Sequence, residues 1–336
     1  MKTASKIWFA FAAFAAVILA AFAPTALAQT GNVGGGSSQT TGDSSLRVSP
    51  VKSEISAKPG ETKKVTVYVQ NVSQDTITLK PVSNDFVADS SEDGSPSIIF
   101  DDNEYAPTHS LKRFMQPIPN ITVGPSERKS VEVTIDIPHN AQAGGYYGAM
   151  RFVPVLPDGS TSVSVQGSVA SLILLRVEGN IVESLALKQF AVLQKGKEVK
   201  RLSSPKDVEV LIRLENKGNV HVAPFGEVFI QKGDKIIHRA KFNDVKPAGV
   251  ILPDSVRKWT VPADKLGSFG KYKITGVIGY GTSNKTINVE KTIWVIPSIL
   301  IFAVIAGIVL LILIIVAVVM ALRAYKRRIL RVARRR

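Results

Sequence analysis

Short apolar alternations broken by turn residues fill the middle of the chain. In KKVTVYVQN (63–71), Val65, Val67 and Val69 alternate with Thr66, Tyr68 and Gln70. KSVEVTIDIP (129–138) repeats the device with Val131, Val133, Ile135 and Ile137. SVASLILLRVEG (168–179) is a longer run rich in β-branched residues and leucine. Side chains of a strand alternate between faces, so this period of two predicts strands with one buried face. Between 47 and 296 no stretch carries the three-to-four spacing of an amphipathic helix. Many short strands with regular turn signals predict sandwiches rather than an alternating α/β sheet. The 250 residues from 47 to 296 exceed one simple sandwich of about 100 residues. The predicted fold class is therefore all-β, with two tandem immunoglobulin-like β-sandwiches followed by one transmembrane helix. The join is expected near Gly179–Asn180, giving a distal sandwich over 47–178 and a membrane-proximal one over 179–296. Two openings echo each other, KPGETKKVTVYVQNVS (58–73) and SPKDVEVLIRLENKGN (204–219). Each is a turn, an alternating strand, then an asparagine followed by a polar turn.

The two ends have a different pattern. Residues 1–28 combine Lys2 and Lys6, the apolar run IWFAFAAFAAVILAAFA, and small residues at Ala26 and Ala28. That order is the grammar of a secretory signal peptide cut after Ala28. Residues 29–46, QTGNVGGGSSQTTGDSSL, hold almost nothing to bury and are expected to be a flexible segment. At the far end, Ile299 to Leu322 contains no charge. As a helix those 24 residues would span about 36 Å, slightly more than a hydrocarbon core of about 30 Å. The following segment, 323–336, carries eight arginines and lysines and no acid. By the positive-inside rule that basic tail is cytoplasmic and the body lies outside, a single pass through the plasma membrane. No LPxTG-like motif precedes the apolar run, so a permanent anchor is expected rather than a wall-sorting signal.

Charge then changes meaning. The formal net charge is +15, but removing the eight tail charges and the two leader lysines leaves +5 for everything between. The high pI is therefore no argument for nucleic-acid binding. The tail is an orientation device that also suits anionic lipid headgroups. With no cysteine, an exported chain must rest on its cores rather than on disulfides.

NAQAGGYYGAMRF (140–152) places three glycines and two tyrosines at the head of a strand. Gly144 and Gly145 make the turn into it. Period two then puts Tyr146, Gly148, Met150 and Phe152 on one side, and Tyr147, Ala149, Arg151 and Val153 on the other. The first side is expected to be core. Tyr146 would be a corner tyrosine bonded back to the backbone, and Gly148 would leave room for an opposing side chain. The second side is expected to be wetter, offering the Tyr147 ring to sugar C–H faces and Arg151 to a carboxylate.

RVSPVKSEISAKPGETKKVTVYVQNVS (47–73), VSNDF (82–86) and IPHNAQAGGYYGAMRFVP (137–154) resemble the peptidoglycan-binding domain of the WxL-interacting protein family. The order of leader, two sandwiches, one helix and a short basic tail is also similar to that family. Over 181–296 the chain looks like a generic bacterial surface sandwich. The resemblance implies a membrane-anchored cell-surface protein that tethers the membrane to peptidoglycan, to another cell-wall glycan or to a wall-associated protein.

Other chemistry is thin. DSSEDG (89–94) mimics the start of a calcium loop, but Phe100 stands where a bidentate glutamate is needed, so a polar turn is expected. His109, His139, His221 and His238 show no metal-ligand spacing. No nucleophile elbow or phosphate loop appears, and neither an enzyme, a metal nor a cofactor is expected. The competing reading is an extracytoplasmic assembly chaperone or scaffold that binds secreted subunits by strand addition.

Overall fold

The computed structural model describes residues 45–155, 167–263 and 265–333. The leader and nearly all of the Gly/Ser/Thr-rich segment lie outside the described residues. Among the described residues nine strands come first: β1 (Leu46–Ser49), β2 (Lys52–Ala57), β3 (Thr62–Asn71), β4 (Ile77–Ala88), β5 (Pro96–Ile98), β6 (Ile121–Val123), β7 (Arg128–Asp136), β8 (Gly144–Pro154) and β9 (Val169–Val177). They form one sheet in the order β1-β3-β7 and a second in the order β2-β9-β8-β4-β5, with β6 also on β4. Leu46 is 1% exposed and opens β1, so the last residue of the segment expected to be flexible is a buried strand residue.

The alternation reads directly into packing. Val65, Val67 and Val69 of β3 and Val131, Val133 and Ile135 of β7 all point inward. They meet Met150, Phe152, Ile173 and Leu175 from the facing sheet in one apolar cluster. Each such side chain contributes roughly 1.5–3 kcal/mol by leaving water. The first two strands go to different sheets: β1 pairs antiparallel with β3, and β2 then runs parallel to β9.

After Glu178 the chain builds a second pair of sheets. Its strands are β10 (Leu185–Gln194), β11 (Lys197–Glu198), β12 (Arg201–Leu202), β13 (Val208–Asn216), β14 (Phe225–Lys232), β15 (Lys235–Phe242), β16 (Val256–Pro262), β17 (Gly270–Tyr280) and β18 (Lys285–Val295). The sheet orders are β11-β10-β13-β16 and β12-β18-β17-β14-β15, and they enclose a separate apolar cluster around Ile212, Ile230, Tyr272 and Ile278.

The echo between 58–73 and 204–219 is structural. Asn71 and Asn216, both fully buried, end the equivalent strands β3 and β13. The Asn71 carboxamide oxygen accepts from Ser73 N–H, and its nitrogen donates to the carbonyls of Asp75, Val123 and Gly124. The Asn216 oxygen accepts from Gly218 N–H, and its nitrogen donates to Val220 and Ile251. A buried amide must have its bonds made, and in both places it ties a strand end to its own turn and to a distant loop.

Only Ile296 and Pro297 separate β18 from the helix α1 (Ser298–Ala333). Within Ser298–Arg327 the apolar window of 18 residues has mean hydropathy 3.6, and none of it is buried. The helix is long and apolar enough to cross a membrane, and it continues past Leu322 to Ala333.

Candidate functional site: the junction between the two sandwiches

The glycine–tyrosine strand β8 lies where the sandwiches meet. Gly144 has φ of +149°, a conformation that favours glycine. A methyl group there would come 2.8 Å from the Asn219 carbonyl oxygen of the second sandwich. Gly145 N–H donates to that same carbonyl at 2.7 Å. A side chain on Gly145 would overlap the Tyr147 hydroxyl. Asn219 also donates to the Ala143 carbonyl at 3.2 Å. The paired glycines thus let the 217–221 turn of one sandwich rest on the backbone of the other.

Tyr146 behaves as expected. Its hydroxyl donates to the Gln142 carbonyl at 2.9 Å, and its ring packs on Phe114 and the first core. Gly148 faces Leu111, whose Cβ would lie 3.0 Å from a methyl group there. Met150 is 1% exposed.

Tyr147 requires a correction. It is 2% exposed, not on a wet face. Its ring is surrounded by Phe86 at 6.0 Å, His109 at 6.0 Å and His221 at 5.6 Å between centroids. Phe86, Ala149 and Leu174 form a cluster with it, against which Val250 and Leu252 of the second sandwich pack. Period two assigns faces correctly here, but the second face is covered by another sandwich rather than by water. No ring face is left open for a sugar. The hydroxyl faces the His221 backbone without completing a well-formed bond, and burial pushes its pKa far up.

Arg151 stays partly exposed, separate from that cage. Its Nε donates to Asn84 Oδ1 at 3.0 Å and its guanidinium stacks 5.0 Å from the Phe100 ring. Its partners are thus a neutral amide and an aromatic ring. Asp85, fully buried beside Asn84, accepts from Ala106 N–H and Lys112 N–H at 3.0 and 2.8 Å. These bonds hold the 106–112 segment over β8. That segment carries His109, whose Nδ1 donates to the Gly145 carbonyl at 2.6 Å.

Two further contacts close the junction. The DSSEDG turn joins β4 to β5, and its Asp89 and Asp93 carboxylates accept from Ser91 and Ser95 N–H. Its Glu92 reaches the second sandwich, with Arg213 donating to it through Nε at 2.7 Å and Nη2 at 2.5 Å. Lys258 N–H donates to the Glu92 carbonyl at 2.8 Å. The Arg213 guanidinium holds the Glu92 carboxyl below its ordinary value. On β2, the His221 imidazole 3.8 Å away lowers the Glu54 pKa from 4.5 to about 2, opposed by desolvation and helped by Lys52 at 2.7 Å.

Between these contacts remains an apolar crevice of about 260 Å³, walled by Val51, Phe86 and Leu174 on one side and Val250, Leu252 and Arg257 on the other. Arg257 donates through Nη1 to the Val250 carbonyl at 3.0 Å. Its Nε is buried without a hydrogen bond, and desolvation lowers its pKa. Among the described residues no cluster of three or more His, Asp or Glu could hold a metal. Sequence reasoning missed Glu92, Arg213, Asn219 and His221 as a group, because only docking of the sandwiches brings them together.

The sequence matches no protein-family model and no curated protein. Among solved structures, it is similar to the class 5 fimbriae chaperone CfaA, with 14% identity and a TM-score of 0.38 over 75% of this chain and 99% of that one. A second likeness is to the CsuC–CsuE chaperone–tip adhesion subunit pre-assembly complex from archaic chaperone-usher Csu pili of Acinetobacter baumannii. There identity is 14% and the TM-score 0.35, over 74% of this chain and 97% of that one. A third is to the Pseudomonas aeruginosa CupB2 chaperone, with 11% identity and a TM-score of 0.31 over 74% of this chain and all of that one. Likenesses this distant assign neither a family nor a function to the chain.

Proposed function

We propose that the chain is a membrane-anchored extracytoplasmic scaffold or assembly chaperone that holds a protein partner between its two sandwiches. The helix α1 anchors it, and the arginines and lysines after Leu322 orient the sandwiches outward. The crevice carries the reading. Sites that take apolar groups are concave, largely apolar and fitted with a few placed polar groups. At about 260 Å³ the crevice suits one or two apolar side chains of a protein. The ion pair of Glu92 with Arg213 and the Gly145–Asn219 contact keep its walls in place. Two outer strands favour this mode over strand addition: β7 and β15 carry Arg128, Glu132, Lys235 and Lys241, and charged edges discourage pairing with another chain.

The test uses the absence of natural cysteines. Val51, 65% exposed at the crevice rim, is replaced in the full chain by Val51→Cys, and a photo-crosslinker is attached in the membrane. A discrete protein adduct is expected at Val51→Cys and not at Tyr68→Cys on the opposite sheet. Equal labelling at both positions counts against the crevice.

A second reading, a cell-wall glycan tether, is favoured by one observation. Phe225, 52% exposed, lies opposite Gly279, where a methyl group would come 2.7 Å from its ring. The flat ring, Glu227, Asp244 and Asn284 line one shallow groove, and aromatic rings with carboxylates and amides suit sugars. Sedimentation with purified peptidoglycan that is lost in Phe225→Ala would favour this reading.

A further inference from the structure

We propose that the end of the second sandwich nearest the helix is a docking surface for anionic lipid headgroups, so that the head lies on the bilayer rather than standing off it. The proposal rests on the reading of α1 as a membrane anchor. Two residues separate Val295 from Ser298, a reach of roughly 10 Å even when fully extended. Whatever shares the end of β18 is thereby held close to the lipid surface.

The strand register states which loops those are. Val295 pairs with Gly270, which puts the 262–271 loop at this end. Lys232 pairs with Lys235 in the tight β14–β15 turn, and the Lys232 ammonium donates to the Phe269 carbonyl at 3.3 Å. Arg201 pairs with Trp294, and Gln194 with Val208, which adds the 194–208 segment.

These loops are basic. The 194–208 segment has Lys195, Lys197, Lys200, Arg201 and Lys206 against Glu198 and Asp207. The β14–β15 turn has Lys232 and Lys235 against Asp234, and the third loop has Lys265 and Lys271 against Asp264. Nine basic residues against four acidic ones leave an excess of five. That equals the whole excess of the chain between leader and tail. All nine basic residues are exposed, and no ion pair among the described residues engages any of them. Glu198, by contrast, is taken by Lys291 at 3.0 Å.

Apolar groups accompany the charge. Phe269 is 55%, Ile236 47% and Trp294 46% exposed. Aromatic residues gather at the headgroup level, where their rings meet both lipid and water. A basic surface next to a membrane helix is drawn to anionic lipid, and the attraction fades within a Debye length. Charge, exposed rings and a short tether coincide at one end of one sandwich.

The experiment uses the full chain with one introduced cysteine, Phe269→Cys, carrying a spin label. The protein is reconstituted into vesicles of phosphatidylcholine alone or of an equal mixture with phosphatidylglycerol. Collisions with an aqueous nickel relaxant are then read. The label is expected to be several-fold less accessible in the anionic vesicles, and to regain access at high salt. The same gain is expected in the Lys200→Glu/Arg201→Glu/Lys265→Glu/Lys271→Glu variant. A label at Asn103→Cys, in the first sandwich, is expected to be open to nickel in both. Equal access at Phe269→Cys in both lipids, indifferent to salt, overturns the docking surface while leaving the anchor intact. A chain that floats with neither vesicle removes the anchor and the docking surface together.

Discussion

Tyr147 shows what one residue does at a packed joint. Its ring fills the space among Phe86, His109 and His221, and a large aromatic removed from such a site costs about 3–5 kcal/mol. The hydroxyl has at most a poor bond to lose. Tyr147→Ala is therefore expected to lower the thermal midpoint of the detergent-solubilised chain by many degrees, and Tyr147→Phe to leave it unchanged or raise it slightly. Equal damage from both would mean that the hydroxyl is well bonded. Glu54 gives a pH dependence. Its folded pKa, about 2, lies below the ordinary 4.5, so its contribution is present above about pH 4.5 and is lost as pH falls toward 2. Glu54 is half-exposed, so water screens the effect and a small one is expected. Stability measured across this range should fall less steeply in Glu54→Gln; parallel curves would show that Glu54 plays no part.

At the scale of the element, β8 performs two tasks on two faces. Met150 points into the first core, and Met150→Asp is expected to unfold that sandwich, because a charge would be buried without a partner. Arg151→Asp loses one bond to Asn84 at a partly exposed position and is expected to be mild. Circular dichroism of both variants settles the register, and reversed effects would contradict it. The glycines at the start of β8 belong to the joint rather than to the core. Gly144→Ala forces a strained φ against the Asn219 carbonyl, and Glu92→Ala removes the clasp on Arg213. Both changes are expected to speed protease cleavage in 178–184 while each sandwich keeps its own β-structure. Unchanged cleavage would mean that the joint is held elsewhere, at the Tyr147 cluster.

For the whole molecule, the decisive prediction is topological. Protease added to intact cells is expected to remove both sandwiches and spare a small fragment containing α1 and the basic residues after it. A protected body would reverse the orientation and with it the proposed function.

The strands, the two cores and the membrane-length helix were legible in the sequence because they depend on local periodicity. Alternation at β3 and β7 places valines inward, and an uncharged apolar run makes α1 whichever way the sandwiches dock. The strand-ending asparagines were legible as an echo, since Asn71 and Asn216 act within their own turns. Period two also divided β8 correctly into two faces. What it could not say is what covers each face. Tyr147 and Arg151 alternate on one side of the same strand, yet one is sealed by the second sandwich and the other reaches past it. Glu92 and Arg213 are 121 residues apart, and nothing local in either segment names the other. Local periodicity is enough to say which residues must leave water. Only the docking of one sandwich on the other decided which of them meet, because contact between distant surfaces depends on shape in three dimensions and leaves no period along the chain.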